Sequence, residues 1–197
     1  LFGEPVFQAA TNGEWSLIQA EKDRHVGYIP TDTLSAQTEP THWVSALATH
    51  VYQLANLKSP DMNTLSFGSL VTVTGTESGF AQCAEGFIPL KHLTKVGAFM
   101  TDPVVVAEMF LGTPYLWGGN SRIGIDCSGL VQAALRATGA ECPGDTDQQE
   151  AAVGALLAPG SRLERGDLVF WKGHVAMAVD ADTIIHATGH PMAVVYE

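Results

Sequence analysis

Apolar and polar positions follow two different patterns along the chain, and the change lies between residues 96 and 100. Residues 1–96 contain short apolar or alternating runs separated by Gly and Pro, which predict β-strands joined by turns. The clearest runs are EWSLIQA, HVGYIP, SLVTVTG, GFAQCA and EGFIPLKHL. The motifs GYIP and GFIP end two similar stretches, so we expect a duplicated small β domain in this part of the chain.

From residue 100 the pattern predicts helices and then strands. An Asp-Pro start and a Gly stop indicate a helix over about residues 102–111. A periodic apolar face that ends before Gly139 predicts a second helix over about residues 127–138, and a shorter helix is expected within residues 145–153. The segments GDLVFW, HVAMAVD, TIIHA and MAVVYE then predict four strands with tight connections. Helices followed by an antiparallel sheet indicate an α+β domain.

Composition and charge narrow the class of partner. Of the 197 residues, 46% are hydrophobic and 16% are charged, as in a folded domain. The net charge of −11 argues against nucleic acid or an anionic membrane surface as a partner. No apolar run approaches the roughly 20 residues of a membrane span. Leu1 is not a natural start, so we expect a trimmed or processed chain. We expect a cytoplasmic location, with the cell envelope or secretion as the alternative.

The three cysteines, Cys83, Cys127 and Cys142, have neither the spacing of a disulfide framework nor that of a zinc pair, so at least one thiol should be free. Cys127, in GIDCSGLVQAAL, allows three interpretations: a buried small hydrophobic residue, a metal ligand or a nucleophile. It lies in the first turn of the predicted helix, where unpaired N–H groups favour the thiolate. The same groups can stabilise the oxyanion formed from a substrate carbonyl. Asp126 is expected to cap this helix, and its alternative role is a charge that faces the substrate.

Two of the seven histidines are predicted to meet. His174 begins the strand HVAMAV, and His186 lies in the next strand, TIIHA. A three-residue connection, residues 180–182, would place both imidazoles on one face of the hairpin, with Cβ atoms about 7–8 Å apart or somewhat less. A half-buried strand position is the alternative interpretation of either histidine. Zinc binding by these histidines and Cys127 is conceivable but less favoured, because the cysteine has no second close ligand.

Three segments taken together resemble a known family. PYLWGGNSRIGIDCSGLVQAAL, RGDLVFWKGHVAMAVD and TIIHATG are similar to the three motif blocks of the NlpC-type cell-wall peptidases, which are papain-like cysteine peptidases with a Cys-His-His triad. The resemblance implies an α+β, papain-like fold in which a helix carrying the cysteine packs on a small antiparallel sheet. It makes Cys127 the nucleophile, His174 the general base and acid, and His186 the residue that orients His174. No metal or cofactor is implied.

The first part of the chain resembles bacterial SH3-like domains. This resemblance implies a truncated SH3-like domain over residues 1–38, a second over residues 39–98, and the peptidase domain over residues 99–197. The chain departs from the family at Gly144, where many relatives carry an Arg. If that Arg binds a substrate carboxylate in those relatives, this chain is expected to differ in affinity or substrate.

The resemblance also implies a substrate class. The expected reaction is hydrolysis, through an acyl-enzyme, of the bond after γ-D-glutamate and before meso-diaminopimelate or L-lysine in a peptidoglycan stem peptide. A free N-terminal L-Ala is the expected preference, because the SH3-like domain next to the peptidase domain walls off one end of the cleft in relatives of this layout. The alternatives are an amidase or acyltransferase on another acyl substrate and a catalytically silent wall-binding protein. The candidate substrate-binding residues are Asp126, Ser128, Tyr28, Glu4, and the loop aromatics Tyr115 and Trp117.

Overall fold

The structure, a computed structural model, describes all 197 residues. The chain forms two compact units, Leu1–Ala98 and Phe99–Glu197. No helix in it combines the length and apolar character that crossing a membrane requires. The SH3-like character of the first unit, and its division at residue 38, stay predictions from the sequence.

The first unit begins with a three-stranded antiparallel sheet in chain order. Its strands are β1 Val6–Asn12, β2 Trp15–Ala20 and β3 Val26–Pro30. Alternate residues of β2, namely Ser16, Ile18 and Ala20, are buried. The opposite face exposes Trp15 and, from β3, Val26 and Tyr28. β1 was not predicted, since nearly all its side chains are exposed and it has no apolar alternation to mark it.

Two further sheets complete the first unit, one with strand order β6-β5-β10-β9-β8 and one with order β11-β4-β7. Their strands are β4 His42–Val44, β5 Ala48–Tyr52, β6 Asp61–Ser66, β7 Leu70–Val71, β8 Gly75–Glu77, β9 Phe80–Cys83, β10 Gly86–Pro89 and β11 Leu93–Lys95. The core between them consists of Val44, Val51, Leu65, Val71, Cys83 and Ile88. Burial, and then the charge of Glu85, raise the pKa of the Cys83 thiol to about 11, which makes this cysteine unreactive.

Some strands of these sheets differ from the sequence prediction. The alternating run SLVTVTG does not form one strand, because only Leu70–Val71 and then Gly75–Glu77 pair with neighbours. The run over residues 43–55, which has no clean period, contains β4 and β5. β6 reads DMNTLS, and its polar, mostly exposed side chains left no hydrophobic signal.

The second unit has the predicted order of helices followed by strands. Its helices are α1 Pro103–Met109, α2 Cys127–Ala137 and α3 Thr146–Ala152. A short hairpin, β12 Asn120–Ser121 and β13 Gly124–Ile125, lies between α1 and α2. The final sheet consists of β14 Leu168–Trp171, β15 His174–Ala178, β16 Ile184–Thr188 and β17 Ala193–Tyr196. These four strands are antiparallel in chain order, which confirms the predicted sheet.

The core of the second unit lies where α1 and α2 pack against each other and against the central strands β15 and β16. Both helices begin as the sequence predicts. Asp102 accepts a hydrogen bond from the Val104 N–H at 2.8 Å, and Pro103 occupies the first turn of α1. Asp126 accepts from the Gly129 N–H at 2.8 Å, so its predicted role as the cap of α2 is confirmed.

Glycines allow the loop that precedes α2 to lie directly against the start of that helix. A Cβ atom added to Gly129 would lie 2.5 Å from the Gly119 carbonyl oxygen, and one added to Gly124 would lie 2.5 Å from the Leu116 Cβ. Neither distance is sterically possible without a shift of the backbone or of the Leu116 side chain. The space beside Gly129 is therefore filled by the protein's own backbone.

We predict that Gly129→Ala destabilises the second unit. Alanine is the better helix former by about 1 kcal/mol, so a loss of stability despite that preference isolates the clash with the Gly119 carbonyl. Overpacking of this kind costs roughly 1–3 kcal/mol in the free energy of unfolding, measured by urea denaturation. Gly189→Ala is the control, because a Cβ there meets no atom within 4 Å. Equal stability of the two variants would contradict the packing argument.

Candidate active site

The register of β15 and β16 brings two histidines together. The Val179 N–H donates to the Thr183 carbonyl at 2.8 Å, which closes a three-residue loop and confirms the predicted pairing. His174 and His186 therefore lie on one face as diagonal neighbours. His174 Nε2 is 2.8 Å from His186 Nδ1, and the two ring planes meet at 68°. The two imidazoles form a direct hydrogen bond, in which only one of the two nitrogens carries the proton.

His174 is held as a neutral imidazole. Burial, and then the neighbouring His186 ring, lower the pKa of His174 below its usual 6.5, while Glu197 acts in the opposite direction. At neutral pH this ring is therefore able to accept a proton. Trp171 lies opposite His174 in the sheet, and the centres of the two rings are 5.7 Å apart. Sequence analysis missed Trp171, because its contact depends on the pairing of β14 with β15.

His186 is almost wholly enclosed, with 5% of its surface exposed. Its Nδ1 meets His174, but its Nε2 is buried and has no hydrogen-bond partner. A carboxylate oxygen of Glu197 lies 3.0 Å from this nitrogen, although its direction does not complete a hydrogen bond. Sequence analysis did not single out Glu197, which follows β17.

Cys127 is the first residue of α2 and is 7% exposed. It packs in a buried cluster with Val131, Cys142 and Val175. Because Val175 follows His174 in β15, this packing holds the cysteine against the strand that begins with His174. The Sγ atom lies 3.9 Å from the Thr146 hydroxyl and makes no hydrogen bond to either histidine. Catalytic hydrogen bonds are often long without substrate and shorten when it binds.

The first turn of α2 offers two free N–H groups beside the thiol. The Asp126 carboxylate accepts from the Gly129 N–H and the Ser128 hydroxyl through Oδ1, and from the Gly118 N–H through Oδ2, at 2.8, 3.2 and 2.7 Å. The Ser128 side chain is thus directed to the cap. The N–H groups of Cys127 and Ser128 have no acceptor within the protein. A helix start with such groups binds negative charge.

The two loop aromatics lie in different environments. Tyr115 is half-buried, and its backbone N–H donates to the Met192 carbonyl at 2.9 Å. Burial, and then negative charge on Cys127 and Asp126, raise the pKa of the Tyr115 hydroxyl, so it remains a protonated donor near the thiol. Trp117 is 85% exposed on the same loop. The structure therefore brings Tyr115 to the site and leaves Trp117 facing solvent.

The other two candidate residues belong to the first unit. Tyr28 lies on β3 and is 65% exposed. Glu4 accepts a hydrogen bond from Lys22 Nζ at 3.1 Å, which partly neutralises its carboxylate. Both stay predicted substrate contacts. No disulfide joins the three cysteines, which are all buried, and no group of three or more His, Cys, Asp or Glu side chains is arranged to hold a metal ion.

A buried glutamine ties the segment before α3 to the nucleophile helix. Gln149 is fully buried, and its Nε2 donates to the carbonyls of Ser128 and Pro143, both at 2.9 Å. Gln132 makes a similar contact from α2, donating to the Cys142 carbonyl at 3.1 Å. Together these bonds place the start of α3, with Thr146, beside the thiol. The polar run TDQQ gives no sign that Gln149 is buried, so sequence analysis missed it.

Comparison with known proteins identifies a family and several relatives that this chain resembles. Residues 112–196 match the model of the NlpC/P60 family. The chain is 29% identical over 215 residues to the gamma-D-glutamyl-L-lysine dipeptidyl-peptidase of Bacillus subtilis (strain 168), covering 95% of this chain and 70% of that protein. It is 43% identical over 88 residues to the gamma-DL-glutamyl hydrolase of the same strain, covering 43% of this chain and 21% of that protein.

A solved structure shows the same fold along the whole chain. The crystal structure of an NlpC/P60 family protein from Bacillus cereus ATCC 10987 matches with a TM-score of 0.85 and 21% sequence identity. The match covers 100% of this chain and 75% of that chain.

We predict that Gln149→Leu lowers both stability and turnover. The change removes both hydrogen bonds of Nε2, which contribute roughly 0.5–1.5 kcal/mol each. The free energy of unfolding measures the loss. The neighbouring Gln148→Leu is the matched control, because Gln148 is exposed and only its backbone N–H makes a hydrogen bond. If both variants were as stable as the parent, the glutamine would not tie the segment to α2.

Proposed function

We propose that the second unit, in which residues 112–196 match the NlpC/P60 family, is a cysteine peptidase domain that hydrolyses the bond between γ-D-glutamate and a diamino acid in peptidoglycan stem peptides. The observation that carries the proposal is the hydrogen-bonded pair His174–His186, in which His174 begins β15, the strand against which Cys127 packs. The names of the two Bacillus subtilis relatives both specify a γ-glutamyl linkage, which supports this substrate class. The diamino acid is meso-diaminopimelate or L-lysine.

The first half of the reaction forms an acyl-enzyme. Cys127 Sγ attacks the γ-carbonyl carbon, and its proton passes to His174 Nδ1, the ring nitrogen not engaged with His186. The negative charge on the carbonyl oxygen is stabilised by the free N–H groups of Cys127 and Ser128. When the C–N bond breaks, the His174 imidazolium gives its proton to the leaving amine. The γ-glutamyl group then remains on sulfur as a thioester.

The second half restores the enzyme. His174, neutral again, takes a proton from water as the water oxygen attacks the thioester carbonyl. The same two N–H groups stabilise the second oxyanion. The C–S bond breaks, the proton returns to the sulfur, and the free γ-carboxyl product leaves. The lowered pKa of His174 suits both halves, because the ring must start each one unprotonated.

Asp126 is the group we assign to the substrate's free amine. Its Oδ2 accepts only one hydrogen bond from the protein, from the Gly118 N–H, and so retains acceptor capacity. An enclosed ammonium requires an opposite charge and acceptors. Tyr28 and Glu4 are proposed, by family resemblance alone, as further substrate contacts. Preference for a free N-terminal L-Ala fits peptides already released from the wall, and fits a cytoplasmic enzyme.

We expect Cys127→Ala to reduce the hydrolysis of L-Ala-γ-D-Glu-L-Lys to below roughly one ten-thousandth, because no other nucleophile is available. His174→Ala should reduce kcat by roughly 10³-fold or more, and His186→Ala by roughly 10- to 100-fold, since His186 only orients the base. Mass spectrometry of the products measures each rate. Cys83→Ala is the control and should keep its activity, as that thiol lies in the core of the first unit. Substantial turnover by Cys127→Ala would sink the assignment.

We also expect N-acetylated L-Ala-γ-D-Glu-L-Lys to be a much poorer substrate than the free peptide. Acetylation removes the charge that Asp126 is proposed to bind. Asp126→Asn should raise KM for the free peptide while leaving the low rate on the acetylated peptide nearly unchanged. If Asp126→Asn lowered kcat/KM by the same factor on both peptides, Asp126 would act only by capping α2 and by accepting from the Gly118 N–H. Equal rates of the unsubstituted enzyme on the two peptides would refute the amine pocket.

A further inference from the structure

We propose that Glu197 is a positioning residue that determines which ring nitrogens of the histidine pair carry the hydrogens. It acts on His174 through His186. The structure places its carboxylate 3.0 Å from His186 Nε2, on the opposite side of that ring from His174. The proposal rests on the proposed role of His174 as the base. It assigns a purpose to a buried nitrogen that the Cys-His-His scheme leaves without a partner.

The mechanism requires one arrangement of protons in the pair. For His174 Nδ1 to accept the thiol proton, its Nε2 must carry a hydrogen and donate to His186 Nδ1. A neutral His186 must then carry its own hydrogen on Nε2. The reverse arrangement, with Nδ1 of His186 as the donor, would place the hydrogen of a neutral His174 on the nitrogen that faces the thiol. That ring could not act as a base.

The surroundings of His186 Nε2 decide between the two arrangements. This nitrogen is buried and has no hydrogen-bond partner, and an unsatisfied buried N–H is unfavourable. A small rotation of the Glu197 side chain, whose oxygens have no other partner, would complete the bond. In the reverse arrangement the lone pair of Nε2 would face a carboxylate, which is repulsive. The carboxylate therefore favours the arrangement in which His174 is the base.

The backbone fixes where this carboxylate starts. The Glu197 N–H donates to the Ile184 carbonyl at 3.0 Å, and its carbonyl accepts from the Ile184 N–H at 2.9 Å. This pair extends the ladder between β16 and β17 by one position, and Ile184 lies two residues before His186. The Glu197 side chain consequently leaves the sheet on the face that carries His186. An ion pair between two exposed groups usually contributes little to stability. Here the Glu197 carboxylate is 73% exposed but the His186 imidazole is buried, so water screens the contact from one side only.

The charged groups around the pair single out Glu197. His174 faces His186 from β15, and Cys127 lies at the start of α2. The carboxylate of Glu108 on α1 is engaged elsewhere. Glu108 accepts from the Tyr196 hydroxyl at 3.1 Å and lies 3.8 Å from Arg165. Only Glu197 raises the pKa of His174, against burial and the His186 ring. Its removal should thus lower the pKa of His174 further.

The test compares Glu197→Ala and Glu197→Gln with the parent enzyme and with Glu108→Gln, a matched control that removes a carboxylate beside β17. Glu197→Ala should lower kcat roughly tenfold with little change in KM. The acidic limb of the kcat/KM profile should move to lower pH by roughly a few tenths of a unit. Glu197→Gln, which keeps an acceptor but no charge, should recover part of kcat. Glu108→Gln should leave the profile in place.

A second readout does not depend on turnover. Nitrogen NMR of the two imidazoles should show His186 protonated on Nε2 in the parent, and a mixture of both forms in Glu197→Ala. Unchanged ring nitrogens and an unchanged pH profile in Glu197→Ala would overturn the proposal while leaving the peptidase assignment intact. If the parent shows no cysteine-dependent hydrolysis, the proposed function fails, and the NMR comparison still decides the role of Glu197.

Discussion

The hydrogen bond between His174 and His186 is the interaction on which the proposed chemistry depends, and the register of one hairpin produces it. A three-residue loop between β15 and β16 keeps both side chains on the same face, where the ring nitrogens meet at 2.8 Å. One residue more or less would rotate one imidazole to the other face. Burial of the pair keeps His174 neutral. Helix α2 packs Cys127 against β15, the strand that begins with His174.

The nucleophile is placed by backbone contacts more than by its own side chain. Gly129 allows the Gly119 carbonyl to lie against the first turn of α2, and Asp126 caps that turn. Gln149 of α3 donates to the Ser128 carbonyl of α2 and to the Pro143 carbonyl, and so connects α2 to the segment before α3. These contacts leave the first two N–H groups of the helix open, so the packing that fixes the thiol also prepares the oxyanion site.

Sequence reasoning succeeded where a feature is local. The helix that starts at Cys127, its cap Asp126 and the hairpin register follow from neighbouring residues, and the structure confirms all three. Gln149 and Glu197 were out of reach, because each acquires its role from a segment distant in the sequence. A buried glutamine inside a polar run carries no pattern, and strand pairing between β16 and β17 decides what the Glu197 carboxylate meets.

The measurement that tests the account most directly is mass spectrometry of the acyl-enzyme, trapped by rapid acid quenching during turnover of L-Ala-γ-D-Glu-L-Lys. We expect an added L-Ala-γ-D-Glu acyl group on the peptide that contains Cys127. In the His174→Ala variant, acylated with an activated ester, this adduct should accumulate more, because water is then not activated to hydrolyse the thioester. Product formation without any such adduct, or with the acyl group on Cys83 or Cys142, would contradict it.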